Sequence, residues 1–184
     1  MMSFSQKKRA GKMPVLLLCY LLAGNCSATQ VSVSIDQVYV TSDKPQKGSN
    51  EEIVNMVSTL VTGVLNKNLS QLPNFVNRNR GIYLDVKGLW SFEELQTELK
   101  KEDSIFEIYF FDHNKLVKQK KSPNVLTVRE LLIASEGLKL DLFYEDSKSC
   151  EVKIKFLKNK KLAYDLNNPY FILIDGKWYL YRLF

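Results

Sequence analysis

Apolar residues in the first half of the chain recur every three or four positions, the period of one face of an α-helix. The longest such segment covers residues 49–68. Its apolar positions are Ile53, Val57, Leu60, Val61 and Val64. Ser49 or Asn50 is the expected N-terminal cap, because a short polar side chain can accept a hydrogen bond from the first turn. The pattern predicts a long helix with one buried face that ends over residues 66–68.

Two further segments have start or stop signals typical of helices. Residues 91–102 begin with Ser91 and Glu94, whose S-x-x-E spacing is that of a capping box. Residues 127–135 have apolar positions at helical spacing, and Gly137 follows as a C-terminal stop. Both segments are predicted to be helices.

Three segments between the predicted helices are less regular. Residues 69–81 favour a short second helix or a turn, and residues 81–90 favour a short strand that ends near Gly88. Residues 104–112, "SIFEIYFFD", are too apolar to stay exposed and fit a strand or a helix. We expect this last segment to lie in the core.

The last third of the chain changes to a period of two, which is typical of strands with one wet face. The apolar positions of the first two strands are Leu138, Leu140, Leu142, Val152, Ile154 and Phe156. The alternating polar positions are Lys139, Asp141, Glu151, Lys153 and Lys155. Two half-buried antiparallel strands are therefore predicted, with Cys150 at the start of the second.

The C-terminal segment "YFILIDGKWYLYRLF" is predicted to be a β-hairpin. Asp175 and Gly176 form a type I′ turn signal, because both central positions of that turn need positive φ. The expected pairs are Leu173 with Trp178, Ile172 with Tyr179, Phe171 with Leu180 and Tyr170 with Tyr181. Both faces are apolar or aromatic, so we expect a central hairpin covered on both sides.

Helices first and antiparallel strands last indicate an α+β fold. We expect the N-terminal helices to pack on a curved, mostly antiparallel four- to five-stranded sheet that ends in the hairpin. The predicted domain covers residues 50–184.

The N-terminus has a pattern of its own. Residues 15–23 form an apolar run of nine after four basic residues, too short for the about 20 residues of a membrane span. The following "LLAGNC" resembles a bacterial lipobox, whose cysteine is diacylated before the chain is cut on its N-terminal side. This resemblance implies a signal peptide over residues 1–25, a lipid on Cys26 and membrane attachment. Ser27 lacks the inner-membrane retention signal that Asp gives in enterobacteria, so the expected location is the outer membrane.

Other interpretations of this segment are open. An ordinary signal peptidase could cut after Ala28, Cys26 could form a disulfide with Cys150, or the segment could stay as an uncleaved anchor. Residues 26–49 are predicted to be a flexible tether, although the alternation in "VSVSIDQVYV" also fits an edge strand.

Cleavage changes the charge of the protein. The chain has 26 basic and 20 acidic residues, and the segment before Cys26 carries four of the basic residues and no acidic one. The net charge therefore falls from +6 to +2, which argues against nucleic acid as a partner.

The sequence contains no known catalytic or phosphate-binding motif, so neither a cofactor nor a metal site is expected. With one histidine in the chain, His113, a histidine metal cluster is excluded. His113 is expected in a turn, although Asp112 beside it could in principle serve as an acid–base partner. Cys150 is expected to be a buried small residue, with a reactive thiol as the alternative.

Aromatic residues are the strongest candidates for a binding site. Six of them could line a pocket or fill the core: Tyr83, Trp90, Tyr109, Phe110, Trp178 and Tyr179. The lysine-rich residues 115–122 are expected to form a solvated loop, with contact to an anionic lipid or polysaccharide as the alternative.

Two resemblances extend this picture. The blocks "NRGIYLDVKGLW", "EIYFFD" and "DLNNPYF" are similar to blocks of small spirochaete lipoproteins without assigned activity, which implies an envelope protein and no catalytic residues. The order of elements resembles the nuclear-transport-factor-two-like superfamily, which implies a cone-shaped domain with a hydrophobic pocket.

The sequence thus favours a membrane-anchored envelope lipoprotein whose domain, without enzymatic activity, binds a protein or a small apolar ligand. The alternative is a pocket enzyme, which needs a buried carboxylate in a cavity, with Asp85, Asp112 and Asp141 as candidates. Binding of host or matrix molecules follows if the protein reaches the outer surface.

Overall fold

The computed structural model describes residues 31–84 and 88–183. The strands are β1 Val33–Val40, β2 Ile82–Tyr83, β3 Leu89–Trp90, β4 Leu138–Asp146, β5 Ser149–Phe156, β6 Tyr170–Ile174 and β7 Lys177–Arg182. The α-helices are α1 Ser49–Leu65, α2 Phe92–Glu98, α3 His113–Lys120 and α4 Val128–Ser135. Short 3-10 helices cover Leu72–Phe75 and Lys160–Asp165, and a π-helix covers Glu107–Phe111.

The strands form one mixed sheet in the order β1-β4-β5-β6-β7-β2-β3, which is open because its two edge strands do not pair within the described residues. The four strands β4 to β7 pair with one another in antiparallel orientation, whereas β1 runs parallel to β4 and β2 runs parallel to β7. The α+β class is confirmed. Over residues 31–84 and 88–183 the sheet has seven strands rather than the predicted four or five, since residues before α1 and after the first 3-10 helix also join it.

Strand β1 corrects the predicted tether over residues 26–49. Val33 to Val40 pair with Leu138 to Tyr144 of β4, with a bulge between Ile35 and Gln37. The alternative interpretation of an edge strand is therefore confirmed for this segment. An edge strand leaves most of its side chains exposed, which is why its composition is similar to that of a tether.

Helix α1 supplies one wall of the hydrophobic core. The predicted inward positions Ile53, Val57, Leu60, Val61 and Val64 are all buried. They belong to one cluster with the inward residues of β4, β5, β6 and β7. The predicted cap is wrong, because the N-terminal cap is Gly48, with a φ of 89°, and Ser49 is the first helical residue. Ser49 is buried, and its Oγ accepts a hydrogen bond from Trp178 Nε1 at 2.9 Å.

The C-terminal hairpin has the predicted turn. Asp175 and Gly176 have φ values of 50° and 78°, as a type I′ turn requires. The confirmed pairs are Phe171 with Leu180, Ile172 with Tyr179 and Leu173 with Trp178. The tight turn therefore set the register over these three pairs.

The predicted pair of Tyr170 with Tyr181 is wrong. A bulge between Tyr170 and Phe171 shifts the register, so Tyr170 lies opposite Arg182. On one face of the hairpin Phe171, Trp178 and Leu180 are buried and Leu173 is half-buried, whereas the other face is half-buried rather than covered. The half-buried residues include Tyr170, Ile172, Tyr179 and Tyr181.

Two segments differ from their predicted local structure. Residues 81–90 contain β2 and β3, which pair antiparallel with Ile82 opposite Trp90 and Tyr83 opposite Leu89. The predicted basic loop over residues 115–122 is largely helix α3. Its N-terminus is capped by Asp112, whose carboxylate accepts a hydrogen bond from the Lys115 amide at 3.0 Å.

Candidate functional site

The six aromatic residues predicted from the sequence lie in four places. Trp178 is fully buried in the core against Tyr144. Tyr83 packs edge-on against Tyr181, with ring centroids 5.3 Å apart. Tyr179 lines a shallow surface groove together with Phe92. The remaining three residues, Trp90, Tyr109 and Phe110, come together.

These three residues line a groove of about 550 Å³, which we call the aromatic groove. The rest of its lining is Leu84, Gly88, Ile105, Phe106, Lys120, Val128, Asp165, Leu166, Asn167 and Leu183. The walls are mainly apolar, and Lys120 and Asp165 are the charged residues among them. The sequence prediction of an aromatic pocket thus has a structural counterpart for half of the residues that it named.

The π-helix shapes one wall of the aromatic groove. The Asp112 amide donates to the Glu107 carbonyl at 2.8 Å, the i to i+5 bond that widens a helix turn. In this turn Phe106 and Phe110 are buried, whereas Tyr109 is half-exposed. Residues 104–112 are therefore neither a strand nor an ordinary helix, and their apolar side chains are divided between the core and the groove.

A positive charge lies at the rim of the aromatic groove. Lys120, in the last turn of α3, places its Nζ 5.0 Å from the centre of the Tyr109 ring. Lys120 makes no ion pair in the part of the chain that the structure describes. A cation over an aromatic face can also attract an anionic group of a ligand.

A second, larger groove lies beside β1, β4 and β5. We call it the basic groove, because its lining includes Lys139, Lys153, Lys155 and Lys160. Its volume is about 850 Å³, and the other lining residues include Asp36 and the exposed Tyr164. The pattern of alternating polar residues in β4 and β5 predicted a wet face here, and this part of the prediction is confirmed for the lysines.

Asp141 departs from that prediction. Its side chain is 4% exposed, and Lys155 Nζ contacts its Oδ2 at 2.5 Å. Pairing of β1 with β4 covers this position, which an isolated β4–β5 hairpin would leave exposed. Asp141 Oδ1 has no hydrogen-bond partner among the described residues. Asp141 contacts Lys155, which lines the basic groove, but Asp141 itself is not part of the lining.

Asp36 joins the edge strand to its neighbours through two lysines. Lys139 Nζ and Lys155 Nζ lie 3.1 and 3.0 Å from its two carboxylate oxygens. Hydrogen bonds from Lys155 and then Lys139 lower the pKa of Asp36. Hydrogen bonds to Asp141 and Asp36 raise the pKa of Lys155. This network is a structural link between three strands, which sequence analysis missed because β1 was assigned to a tether.

Asp112 and His113 do not form an acid–base pair. Asp112 caps α3, and His113 Nδ1 lies 3.1 Å from Glu130 Oε2 on the next helix. Glu130 also accepts hydrogen bonds from Thr127. Burial raises the pKa of Glu130, but the bonds from Thr127 and His113 outweigh it and lower the pKa overall. Both residues therefore have structural roles at helix ends.

Cys150 is fully buried, as predicted for a small core residue. Burial raises the pKa of its thiol to about 12, so the reactive thiolate is scarce near neutral pH. Cys26 and Asp85, two further residues singled out by the sequence, lie outside the described residues.

Neither a membrane-spanning helix nor a metal-binding cluster is found within residues 31–84 and 88–183. None of the helices there is long and apolar enough to cross a membrane. No group of three or more His, Cys, Asp or Glu side chains in these ranges could hold a metal ion.

Comparison with protein-family models, curated proteins and solved structures finds no match to the chain.

Proposed function

We propose that the chain is a lipid-anchored envelope protein whose domain binds a small, mainly apolar ligand in the aromatic groove without transforming it chemically. The observation that carries the binding role is the aromatic groove itself. Half-exposed Trp90 and Tyr109 face open space in it, instead of being enclosed in the core as Trp178 is.

The size and lining of the groove support this role. A volume of about 550 Å³ is within the range of about 300–1,000 Å³ that is typical of small-molecule sites. The mainly apolar walls favour an apolar ligand, since burial of apolar surface provides most of the binding free energy. Lys120 adds a preference for an anionic group at one end of that ligand, such as a carboxylate.

The proposed anchor is supported by the N-terminal sequence. Four basic residues, an apolar run of nine and the lipobox-like "LLAGNC" occur in the order that lipoprotein signal peptides require. The proposed location is the outer membrane. Two further points stay predictions. The sequence blocks support membership of a spirochaete-type lipoprotein family. The long antiparallel strands that end in a hairpin support a cone-shaped, nuclear-transport-factor-two-like domain.

Metabolic labelling with a fatty-acid analogue tests the anchor. We expect the label on the wild-type chain and on Cys19→Ser, whose altered cysteine lies in the segment that cleavage removes. We expect no label on Cys26→Ser. Equal labelling of Cys26→Ser and the wild type would contradict the anchor.

Tryptophan fluorescence tests the groove, because the chain has two tryptophans in different environments. In Trp178→Phe, Trp90 reports on the groove, and addition of decanoate should shift its emission to shorter wavelength in a saturable way. In the matched control Trp90→Phe, the fully buried Trp178 should not respond. An unresponsive Trp90, or equal responses from the two variants, would contradict binding in the groove.

A further inference from the structure

The described part of the chain begins at a defined end of the sheet. Val31 is buried, and the carbonyl of Ser32 accepts a hydrogen bond from the Leu138 amide at 2.7 Å. The start of β4 and the end of β5 lie at this end, because Leu138 pairs with Phe156. The attachment point of any N-terminal lipid is therefore connected to this end of the domain.

The connection is short. Val31 is five residues after Cys26, and five residues span at most about 18 Å even when fully extended. Because β1 belongs to the sheet, the link is far shorter than the tether that the sequence predicted over residues 26–49. A lipid on Cys26 would hold this end of the domain next to the bilayer surface.

An exposed loop lies beside the point where the chain enters the sheet. The Leu157 amide donates to the Gly137 carbonyl at 2.9 Å, and the side chains of Leu157 and Ser32 both lie against Gly137. Leu157 is 47% exposed although it is a large apolar residue. The next residues include three exposed lysines, and we call Leu157, Lys158, Lys160 and Lys161 the basic end.

The charge of this surface is mostly uncompensated. Lys158 pairs with Glu136, but Lys160 and Lys161 make no ion pair within the described residues. Leu157 and Lys160 also line the basic groove, to which Lys153, likewise without an ion pair in the part of the chain that the structure describes, adds a further charge. Lysines around an exposed leucine fit an anionic lipid surface, where the cations meet headgroups and the apolar side chain meets the acyl boundary.

We propose that the basic end rests on the anionic headgroups of the membrane that anchors the chain, with Leu157 at the acyl boundary. This inference depends on the lipid anchor of the proposed function. Beyond the anchor itself, the basic end is the end of the domain that faces the bilayer, and anionic headgroups bind it there. The opposite end, with the β4–β5 turn and the hairpin turn at Asp175, then points away from the membrane.

Site-specific quenching in vesicles tests this orientation. The lipidated chain is reconstituted in phosphatidylcholine vesicles with phosphatidylglycerol and a quencher-bearing lipid, and a fluorophore is attached to Leu157→Cys. The matched control is Lys148→Cys in the β4–β5 turn, about 30 Å away along β5. Buried Cys150 should not compete for the reagent, which labelling of the chain without an added cysteine checks. Lys160→Cys is a second position in case Leu157→Cys does not fold.

We expect several-fold stronger quenching at position 157 or 160 than at position 148. Equal quenching at the two ends of a chain that carries the fatty-acid label would overturn the orientation and leave the anchor intact. A chain without the label would overturn the anchor, and the orientation with it.

A lysine variant tests the lipid chemistry. The variant combines Lys153→Gln, Lys160→Gln and Lys161→Gln. It should weaken the binding of the basic end to anionic vesicles by about fivefold per lysine, on the order of 100-fold in all. The quenching at position 157 should then fall to its value in pure phosphatidylcholine.

The matched control replaces Lys44, Lys47 and Lys148, which lie at the other end of the sheet, and should change neither the binding nor the quenching. An unchanged signal in the first variant, or release of the basic end from the vesicles by free inorganic phosphate at constant ionic strength, would contradict headgroup binding.

Discussion

At the residue scale, the hydrogen bond between Ser49 and Trp178 joins the start of α1 to the C-terminal hairpin. Both side chains are buried, and the Trp178 amide also donates to the Glu52 carboxylate at 3.2 Å. An indole N–H without a partner in this position would have no access to water. Ser49, which the sequence suggested as a helix cap, therefore contributes to tertiary structure instead.

Loss of this hydroxyl should be costly. We expect Ser49→Ala to lower the free energy of unfolding by about 1–3 kcal/mol, because it leaves the Trp178 N–H buried and unpaired. In a Trp178→Phe background the same change should cost much less, since that N–H is gone. Chemical denaturation of the four chains of this double-mutant cycle measures the difference, and equal costs in both backgrounds would contradict the bond.

The ion pairs of Asp36 should make stability depend on pH. Hydrogen bonds hold its pKa below the usual 3.8 in the folded protein. A carboxyl group with a lowered folded-state pKa stabilises the protein above the unfolded pKa and loses this effect as the pH falls through the folded value. Asp36→Asn should therefore lower the melting temperature at neutral pH, and its difference from the wild type should shrink as the pH falls below 3.8.

The matched control for this experiment is Asp43→Asn. Asp43 is exposed, follows β1, and makes no ion pair within the described ranges. Its replacement should leave the melting temperature almost unchanged both at neutral pH and below pH 3.8. A pH-independent difference between Asp36→Asn and the wild type would show that the carboxylate charge is not what holds β1.

At the scale of elements, two capping boxes begin α2 and α4. Ser91 and Glu94 exchange hydrogen bonds at α2, as the S-x-x-E spacing predicted. Thr127 and Glu130 do the same at α4, which the sequence analysis did not identify although the T-x-x-E spacing was present. Thr127 is 1% exposed, whereas Ser91 is exposed. The same motif is thus in water at one helix and in the core at the other.

This difference in burial predicts that loss of the capping residue destabilises the protein more at α4 than at α2. Ser91→Ala should lower the free energy of unfolding by about 1 kcal/mol, and Thr127→Ala by up to about 2 kcal/mol, because the buried site loses its hydrogen bonds without replacement by water. Thr127→Ser keeps the hydroxyl and is the matched control. Denaturant titration compares the three variants, and a larger loss for Ser91→Ala would contradict the burial argument.

Elements were predictable from the sequence where neighbouring residues determine them. The apolar face of α1, the capping box at Ser91 and the turn at Asp175 depend on spacing or on local backbone preference, and all three are confirmed. Predictions were wrong where a segment that is distant in the sequence determines the local structure or the strand register. Strand β1 needs β4 as its partner, and the bulge at Tyr170 changes a register that the turn alone could not predict.

At the scale of the molecule, the candidate site was likewise only partly predictable from the sequence. The sequence identified an aromatic set but could not divide it, because core and groove positions differ in tertiary packing and not in residue type. Trp90 and Trp178 illustrate this: one lines the aromatic groove and the other is enclosed between α1 and the sheet. Lys120 was assigned to a solvated loop, and its position over Tyr109 follows from helix α3.

Calorimetric titration of the chain with decanoate tests the central claim, ligand binding in the aromatic groove, most directly. The matched variants are Ile105→Arg, which places a charge in the groove, and Val38→Arg, at a similarly exposed position on β1. We predict saturable binding of one decanoate per chain with a negative heat-capacity change, the signature of buried apolar surface. Binding should be lost in Ile105→Arg and kept in Val38→Arg. No saturable heat in the wild type, or equal binding by both variants, would contradict the account.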